Sequence, residues 1–542
     1  MKKRWISLWC IMSMILSLTG CNAKTGSLTA NVPDDKYRTF YEVFVYSFYD
    51  GNGDGIGDLE GLTRKLDYIN DGNAKTTDDL GCNGIWLMPI MPATTYHKYD
   101  VTDYMAIDPQ YGTMEDFETF MAACKERDIH VLIDLVINHT SSKHKWFVEA
   151  SNYLASIGEG EPDVSECPYV DYYHFSKEVS GGAWYQVPGA SGWYYEAPFW
   201  SGMPDLNLES EAVRKEIADI TRFWLDKGVA GFRLDAVKEY VTGSVESNVE
   251  ILTWLNDTVK AQNPDCYVVA EVWEPESTYA MYYASGIDSC FNFRFANQTG
   301  TIASVLNRKG SADASSYGSA IAQLPDTYSR YGSQWIDAPF YTNHDMGRSA
   351  GYYAGEGSEE KTKMAQAMNL LMGGNVFLYY GEELGMKGSG IDENKRAPMY
   401  WSEDKTAEGM CRGPLDMENV QMKFPSLEVQ QADEKSVYNY VKQVIGIRNA
   451  FPAIARGEVT FLENVSDENV CVLKKTYKEE EILLIYNISG EMQVLDGTAL
   501  GMGEKNLSRC KPAAALYTGE EKYEKSGSEI RLPAYSVLVY AK

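Results

Sequence analysis

Short apolar runs recur along the chain at spacings that leave room for a helix between them. Residues 40–48 form a β-rich run, 84–89 a short apolar strand, and 129–136 another. Five more follow at 231–234, 267–270, 289–294, 339–342 and 376–380. Amphipathic stretches such as 211–227 and 245–262 lie between them. Short strands without polar alternation are buried on both faces, which is the property of a parallel sheet covered by helices. Eight strands alternating with helices predict an α/β fold of the (β/α)8 TIM-barrel type.

Two regions break the alternation. Residues 140–200, after the third strand, are long and rich in Tyr, Trp, Gly and Ser, and read as an inserted subdomain. After residue 455 helices stop, and runs at 472–474, 482–486 and 536–540 predict a C-terminal antiparallel β-sandwich over 456–542. The barrel is then expected in two parts, 37–139 and 201–455. The aromatic run Trp184-Tyr185 and Trp193-Tyr194-Tyr195 either lines a ligand cleft or forms the insertion's own core.

The N-terminus has a different pattern. Lys2, Lys3 and Arg4 precede a mainly apolar stretch, 5–17, that is short for a membrane span. It ends in Leu18-Thr19-Gly20-Cys21, which resembles the lipobox of bacterial lipoproteins. That resemblance implies a signal peptide over 1–20, lipid on Cys21 and a polar tether over 21–36. The protein is then expected at the outer face of a bacterial cell membrane, touching the membrane only through its lipid. A plain secretory signal with a chance Cys is the alternative.

Charge and composition narrow the partners. A net charge of −28 opposes nucleic acid or an anionic bilayer as ligand. Aromatic residues make up 13% of the chain, and aromatic faces suit sugar rings as well as a core. The ten Cys are scattered without a CxxC pair, so neither a disulfide scaffold nor a zinc ribbon is indicated. His139 and His144 lack further spaced ligands and do not indicate zinc.

Chemically useful side chains gather just after strand ends, where barrel enzymes build their sites: Asp134, Asn138-His139, Asp235, Glu271 and Asn343-His344-Asp345. Retaining glycoside cleavage needs two carboxyl groups about 5–5.5 Å apart, one to attack carbon and one to protonate the leaving oxygen. Asp235 and Glu271 end the fourth and fifth strands, and Asp345 follows the seventh. Arg233, two residues before Asp235, points to the same side and can orient it. Glu271 sits between Ala270 and Val272-Trp273, an apolar setting expected to raise its pKa.

Asp50-Gly-Asn52-Gly-Asp54-Gly-Ile56-Gly-Asp58 alternates oxygen side chains with glycine. Such a loop can wrap a hard cation such as Ca2+, or can be a Gly/Asp turn without metal. Counted from Asp50, the twelfth position is Gly61 rather than Glu, so it is not an EF-hand.

Asp134-Leu-Val-Ile-Asn-His139, Gly231-Phe-Arg-Leu-Asp235-Ala-Val-Lys238, Glu271-Val-Trp and Asn343-His344-Asp345 are similar, in order and spacing, to four signature regions of the α-amylase family, glycoside hydrolase family 13. Met203-Pro-Asp-Leu-Asn207 resembles its fifth, in the intermediate form of that region. The resemblance runs from about Tyr37 to the end. It implies Asp235 as nucleophile, Glu271 as acid/base and Asp345 as transition-state stabiliser. It implies Arg233 as the residue that orients the nucleophile and Tyr99 as the ring under the cleaved sugar. His97, His139 and His344 are implied as hydroxyl ligands, Asp134 as a support, and Lys238 on the leaving-group side. It also implies a structural Ca2+ held by Asp50, Asn52, Asp54, the Ile56 carbonyl and Asp58. Glu239 stands where many members carry a His that helps bind a second Ca2+, which puts that second site in doubt. Ala236, small, accompanies α-1,4 cleavage in the family. The expectation is a monomeric enzyme that hydrolyses internal α-1,4 bonds of an α-glucan, with some transglycosylation. The rivals are an exo-acting α-glucosidase, an oligo-1,6-glucosidase or neopullulanase-like enzyme and, remotely, a non-catalytic glucan binder.

Overall fold

The computed structural model describes residues 28–179, 181, 183–500 and 511–541. Cys21 and the leader lie outside the described residues. Eight parallel strands form the barrel: β1 (Thr39–Val43), β2 (Gly84–Leu87), β3 (His130–Leu135), β4 (Gly231–Leu234), β5 (Tyr267–Ala270), β6 (Ser289–Asn292), β7 (Ala338–Pro339) and β8 (Val376–Tyr379). Neighbours pair in sequence order, and β8 returns to β1 with Thr39 opposite Val376. Between β7 and β8 the ring closes through one parallel bridge, Phe340–Phe377, and the bond from Asn375 N–H to the Asp337 carbonyl at 2.8 Å.

The interior is filled by large rings. Phe40, Trp86, Tyr267, Phe291, Phe340 and Phe377 form one buried cluster with Leu132 and Val269. Phe40 stacks on Phe377 at 4.7 Å, and a side chain at Gly84 would collide with the Phe40 ring at 2.3 Å. Truncating such a ring to Ala costs about 3–5 kcal/mol. The outer strand faces are covered by helices such as Glu211–Asp226, whose Val213, Ile217, Ile220 and Trp224 are buried. Its N-terminus is closed by the Ser210 side chain, which accepts from Val213 N–H.

Three local expectations change. The first strand stops at Val43, and Val45–Ser47 is a 3-10 turn. Gly57 packs against that turn, with no room for a Cβ beside the Val45 carbonyl, and its N–H bonds the Tyr46 carbonyl at 2.8 Å. The seventh strand is only Ala338–Pro339, since proline has no N–H to extend a ladder. The insertion is also more regular than its composition suggests. It carries a helix, Lys145–Ile157, and a three-stranded sheet of Phe175–Ser176, Trp184–Gln186 and Tyr194–Glu196. Phe147 on the helix meets Tyr195 at 4.7 Å and Tyr173 at 5.2 Å. Trp193 is buried and donates to the Gly158 carbonyl at 2.9 Å. Trp193 and Tyr195 are therefore the insertion's core, while Tyr185 is exposed.

The C-terminal part has a five-stranded and a three-stranded antiparallel sheet. Val472, Leu483, Ile485, Ile530, Leu532 and Leu538 are buried between them, as in a sandwich. The seven described cysteines are buried and free. No described helix is long and apolar enough to cross a membrane.

Candidate active site

The site is organised around one buried guanidinium. Arg233, on β4, is fully enclosed. Its Nη1 donates to Asp134 Oδ1 at 2.8 Å and to Asp235 Oδ1 at 2.7 Å, and its Nη2 lies 3.2 Å from Glu271 Oε2. A rigid planar fork is suited to holding several carboxylates at fixed positions. The three acids come from the ends of β3, β4 and β5, so the barrel's strand order brings them to one cation.

The turn after β4 contributes further. Ala236 has φ +50° and ψ 38°, a left-handed conformation unusual for a residue with a side chain. In that pose its N–H donates to Glu271 Oε2 at 2.9 Å, and Val237 N–H bonds the Glu271 carbonyl at 3.0 Å. Burial pushes the Glu271 carboxyl above its ordinary value. Arg233 pulls against this, while Asp235 and Asp345 add to it. Trp273 is not the cause, because it is 41% exposed and stacks on Phe293 at 5.3 Å. Burial likewise raises Asp134 to about 7, against the pull of Arg233.

Asp345 sits between two cations. His344 Nε2 lies 3.1 Å from its Oδ2, and Arg396 Nη2 donates to its Oδ1 at 2.8 Å. Burial raises its pKa, but His344, Arg396 and Arg233 outweigh that and hold the carboxyl well below the usual range. His344 Nδ1 faces Glu42 Oε1 at 2.6 Å. Burial opposes the imidazolium, yet Asp345 and Glu42 raise its pKa to about 9. Glu42 is itself pushed up by burial and pulled down by His344. With carboxylates on both ring nitrogens, we assign the charged pair.

The remaining predicted residues divide by access. The Asp235, Glu271 and Asp345 side chains keep 11%, 9% and 32% exposure, whereas Asp134 has none. Asp134 thus acts through Arg233 and through Tyr99, whose hydroxyl donates to it at 2.9 Å. Tyr99 also stacks on His344 at 5.4 Å. His139 is buried and kept neutral by that burial, and its Nε2 has no protein partner. His97 is held at about 4 by burial and Arg396, and its Nδ1 accepts from Tyr99 N–H at 3.2 Å. Lys238 reaches Glu274 at 3.4 Å and Glu239 at 3.7 Å rather than Asp235 or Glu271. Asn138 donates to Asp205 at 3.1 Å, and His139 pairs with Asp205 in a β-bridge, joining the insertion's exit to β3.

The sequence profile of the alpha-amylase catalytic domain matches residues 42–457. The chain belongs to the alpha-amylase family. Alpha-amylase 3 of Dictyoglomus thermophilum is 36% identical over 462 residues, which is 85% of this chain and 86% of that protein. Eubacterium rectale Amy13B has a solved structure with 53% identity and a TM-score of 0.89, covering 94% of this chain and 96% of its own. A glucan 1,6-alpha-glucosidase of Streptococcus pneumoniae is 29% identical over 521 residues, 84% of this chain and 91% of its own length. This alpha-amylase family member is accordingly a glycoside hydrolase.

Sequence reasoning about this alpha-amylase family hydrolase left Glu42, Tyr96 and Arg396 out of the site. Arg396 Nη1 donates to the Tyr96 hydroxyl at 3.0 Å while its Nη2 holds Asp345. An acid inside an apolar first strand was the signal for Glu42. Arg396 opens a run to Trp401 that resembles a loop of several branches of the family, but no spacing tied it to Asp345, since the loop after β8 supplies it to a residue that follows β7.

The aspartate loop is tightly curled, with Gly53 and Gly55 at φ +86° and +89°. Asp50 accepts from Gly53 and Gly55 N–H at 2.6 and 2.7 Å, Asn52 from Asp54 N–H at 2.9 Å, and Asp54 from Ile56 N–H at 2.8 Å. Asp58 caps the helix Leu59–Arg64 through Gly61 N–H at 2.6 Å. Among the described residues, no three His, Cys, Asp or Glu side chains converge on a metal position. A cation here therefore needs Asn52 and the Ile56 carbonyl beside the aspartates. Such an all-oxygen set suits Ca2+.

Proposed function

We propose that this alpha-amylase family hydrolase cleaves internal α-1,4-glucosidic bonds of starch, glycogen or maltooligosaccharides with retention at the anomeric carbon. The observation that carries the proposal is that Arg233 joins Asp235 and Glu271 while burial favours the protonated form of Glu271.

In the first step the Glu271 proton passes to the glycosidic oxygen as the C1–O bond breaks. Asp235 Oδ forms a bond to C1 from the opposite face, giving a glycosyl ester and releasing the reducing-end fragment. Glu271, now a carboxylate, takes a proton from water, which attacks C1 and frees Asp235. Asp345, held anionic by His344 and Arg396, binds ring hydroxyls and opposes the developing positive charge. His139 Nε2, buried without a protein partner, is free to bond a sugar hydroxyl.

The small Ala236 beside the nucleophile and the relative named alpha-amylase 3 support α-1,4 and endo action. The 1,6-acting relative from Streptococcus keeps an exo or α-1,6 reading as the alternative. A timed product profile on amylose, pullulan and maltotriose separates them. Mixed maltooligosaccharides appearing early from amylose support the proposal. Glucose alone from chain ends, or cleavage confined to α-1,6 bonds, rejects it.

We also propose that Asp50, Asn52, Asp54, Asp58 and the Ile56 carbonyl close around a structural Ca2+, the carboxylates turning towards it from the loop N–H groups they cap here, and that the ion stiffens the loop after β1. Lipid on Cys21 would place the enzyme at the outer face of a bacterial membrane.

A further inference from the structure

Residues 28–38 do not hang free of the barrel. Asn31 N–H bonds the Asn449 carbonyl at 2.8 Å. Asp35 accepts both Arg456 Nε at 2.6 Å and Arg456 Nη2 at 2.7 Å. Lys36 Nζ lies 3.2 Å from Asp288, just ahead of β6, and the Lys36 carbonyl accepts from Asn375 at 3.1 Å, just ahead of β8. Arg38 Nη2 lies 2.9 Å from His130 at the start of β3. Asp288, His130 and Asn375 lie at or just ahead of the N-terminal ends of strands, the floor of the barrel. Asn449 and Arg456 are on helices that border it: Asn449 donates to the Gly81 carbonyl at 2.7 Å, ahead of β2, and the Ala455 carbonyl accepts from Gly374 N–H at 2.8 Å, ahead of β8. Asp235, Glu271 and Asp345 belong to the opposite end.

We propose that the floor is the membrane-facing side of the enzyme and that the catalytic mouth points away from the bilayer. This rests on the lipid-anchor reading of Cys21. Leu28 packs against the hydrophobic core, and Cys21 lies seven residues before it. Fully extended, seven residues span at most ~25 Å. The barrel wall alone, measured along the helix Glu211–Asp226, is ~24 Å long. A tether leaving the floor would have to be drawn out fully just to reach the far rim of the wall, with nothing left to clear the loops beyond it and turn the mouth towards lipid. A bivalent or branched glucan can then enter from bulk solution without meeting headgroups. The partner surface is a lipid bilayer, held at the floor by the anchor rather than by charge.

The test uses the full lipidated chain in liposomes that carry a headgroup-attached acceptor dye. A donor is placed at Lys75→Cys, on the exposed loop before β2, or at Leu415→Cys, on the exposed loop after β8. The unsubstituted protein gives the labelling background, because its described cysteines are buried. Energy transfer to lipid is expected to be well above background at position 75 and several times weaker at position 415. A flexible Gly/Ser insertion between Asn22 and Leu28 should erase most of that difference. Mass spectrometry of the N-terminal peptide separates the two layers of the claim. Lipid on Cys21 with equal or reversed transfer overturns the orientation alone. No lipid on Cys21 overturns the anchor and the orientation together.

Discussion

The Ala236 N–H donates to Glu271 Oε2 at 2.9 Å, so the residue after Asp235 grips Glu271. Ala236 adopts φ +50° to do so. Left-handed backbone at a non-glycine costs on the order of 1 kcal/mol and persists only when its surroundings fix it. Here the fixing bonds run from the turn after β4 to the end of β5. The relative placement of Asp235 and Glu271 is therefore set by the main chain as well as by Arg233.

Arg233→Lys keeps a charge but loses the fork that touches all three acids. Displacing catalytic groups by about 1 Å costs on the order of a hundredfold in rate. We expect kcat to fall by at least about that factor with a smaller change in KM, read from steady-state kinetics on a chromogenic maltooligoside.

Because burial holds Glu271 above its ordinary value, the enzyme keeps its acid proton further into the pH range and loses activity as pH rises through that raised value. Glu271→Gln removes the proton. Hydrolysis of starch should collapse, while an α-glucosyl fluoride, whose leaving group needs little protonation, should still react with Asp235. Equal loss on both substrates would point to another acid.

His344 is raised to about 9 in the folded protein. A group raised on folding stabilises fully below its unfolded pKa near 6.5, and that stabilisation is lost as pH climbs towards 9. The contribution is on the order of 3 kcal/mol at most. Unfolding midpoints in urea should therefore drop between pH 6.5 and 9. Glu42→Gln removes the charge 2.6 Å from Nδ1 and should flatten that slope. An unchanged slope would mean that Asp345 alone sets the imidazolium.

Calcium at 100 times its dissociation constant should stabilise the fold by about 2.7 kcal/mol. Chelation should lower Tm, and Asp54→Ala should abolish the response while leaving the Asp58 helix cap in place. No Tm difference with and without millimolar Ca2+ would argue for a metal-free turn.

Much of this site was legible because barrel topology converts sequence order into position. Asp235, Glu271 and Asp345 each follow a short apolar strand and Asp134 sits near the end of one, so four strand ends point at one axis. Glu42 and Arg396 were not legible in the same way. Glu42 meets His344 across the β1–β8 closure, and Arg396 meets Asp345 from the loop after β8, so neither pair leaves a local spacing. The helix Lys145–Ile157 was hidden by the Gly- and Tyr-rich stretch that follows it, although Trp146, Phe147, Ala150 and Leu154 share one buried face. The apolar flank of Glu271 was legible, but the wall it suggested was wrong in one part, since Trp273 turns outward.

The most direct measurement is to trap the covalent intermediate with a 5-fluoro-α-glucosyl or maltosyl fluoride and map the adduct by peptide mass spectrometry. A glycosyl ester on the peptide containing Asp235 is the predicted result. An adduct on another side chain, or steady turnover to a β-configured product with no adduct, would contradict it.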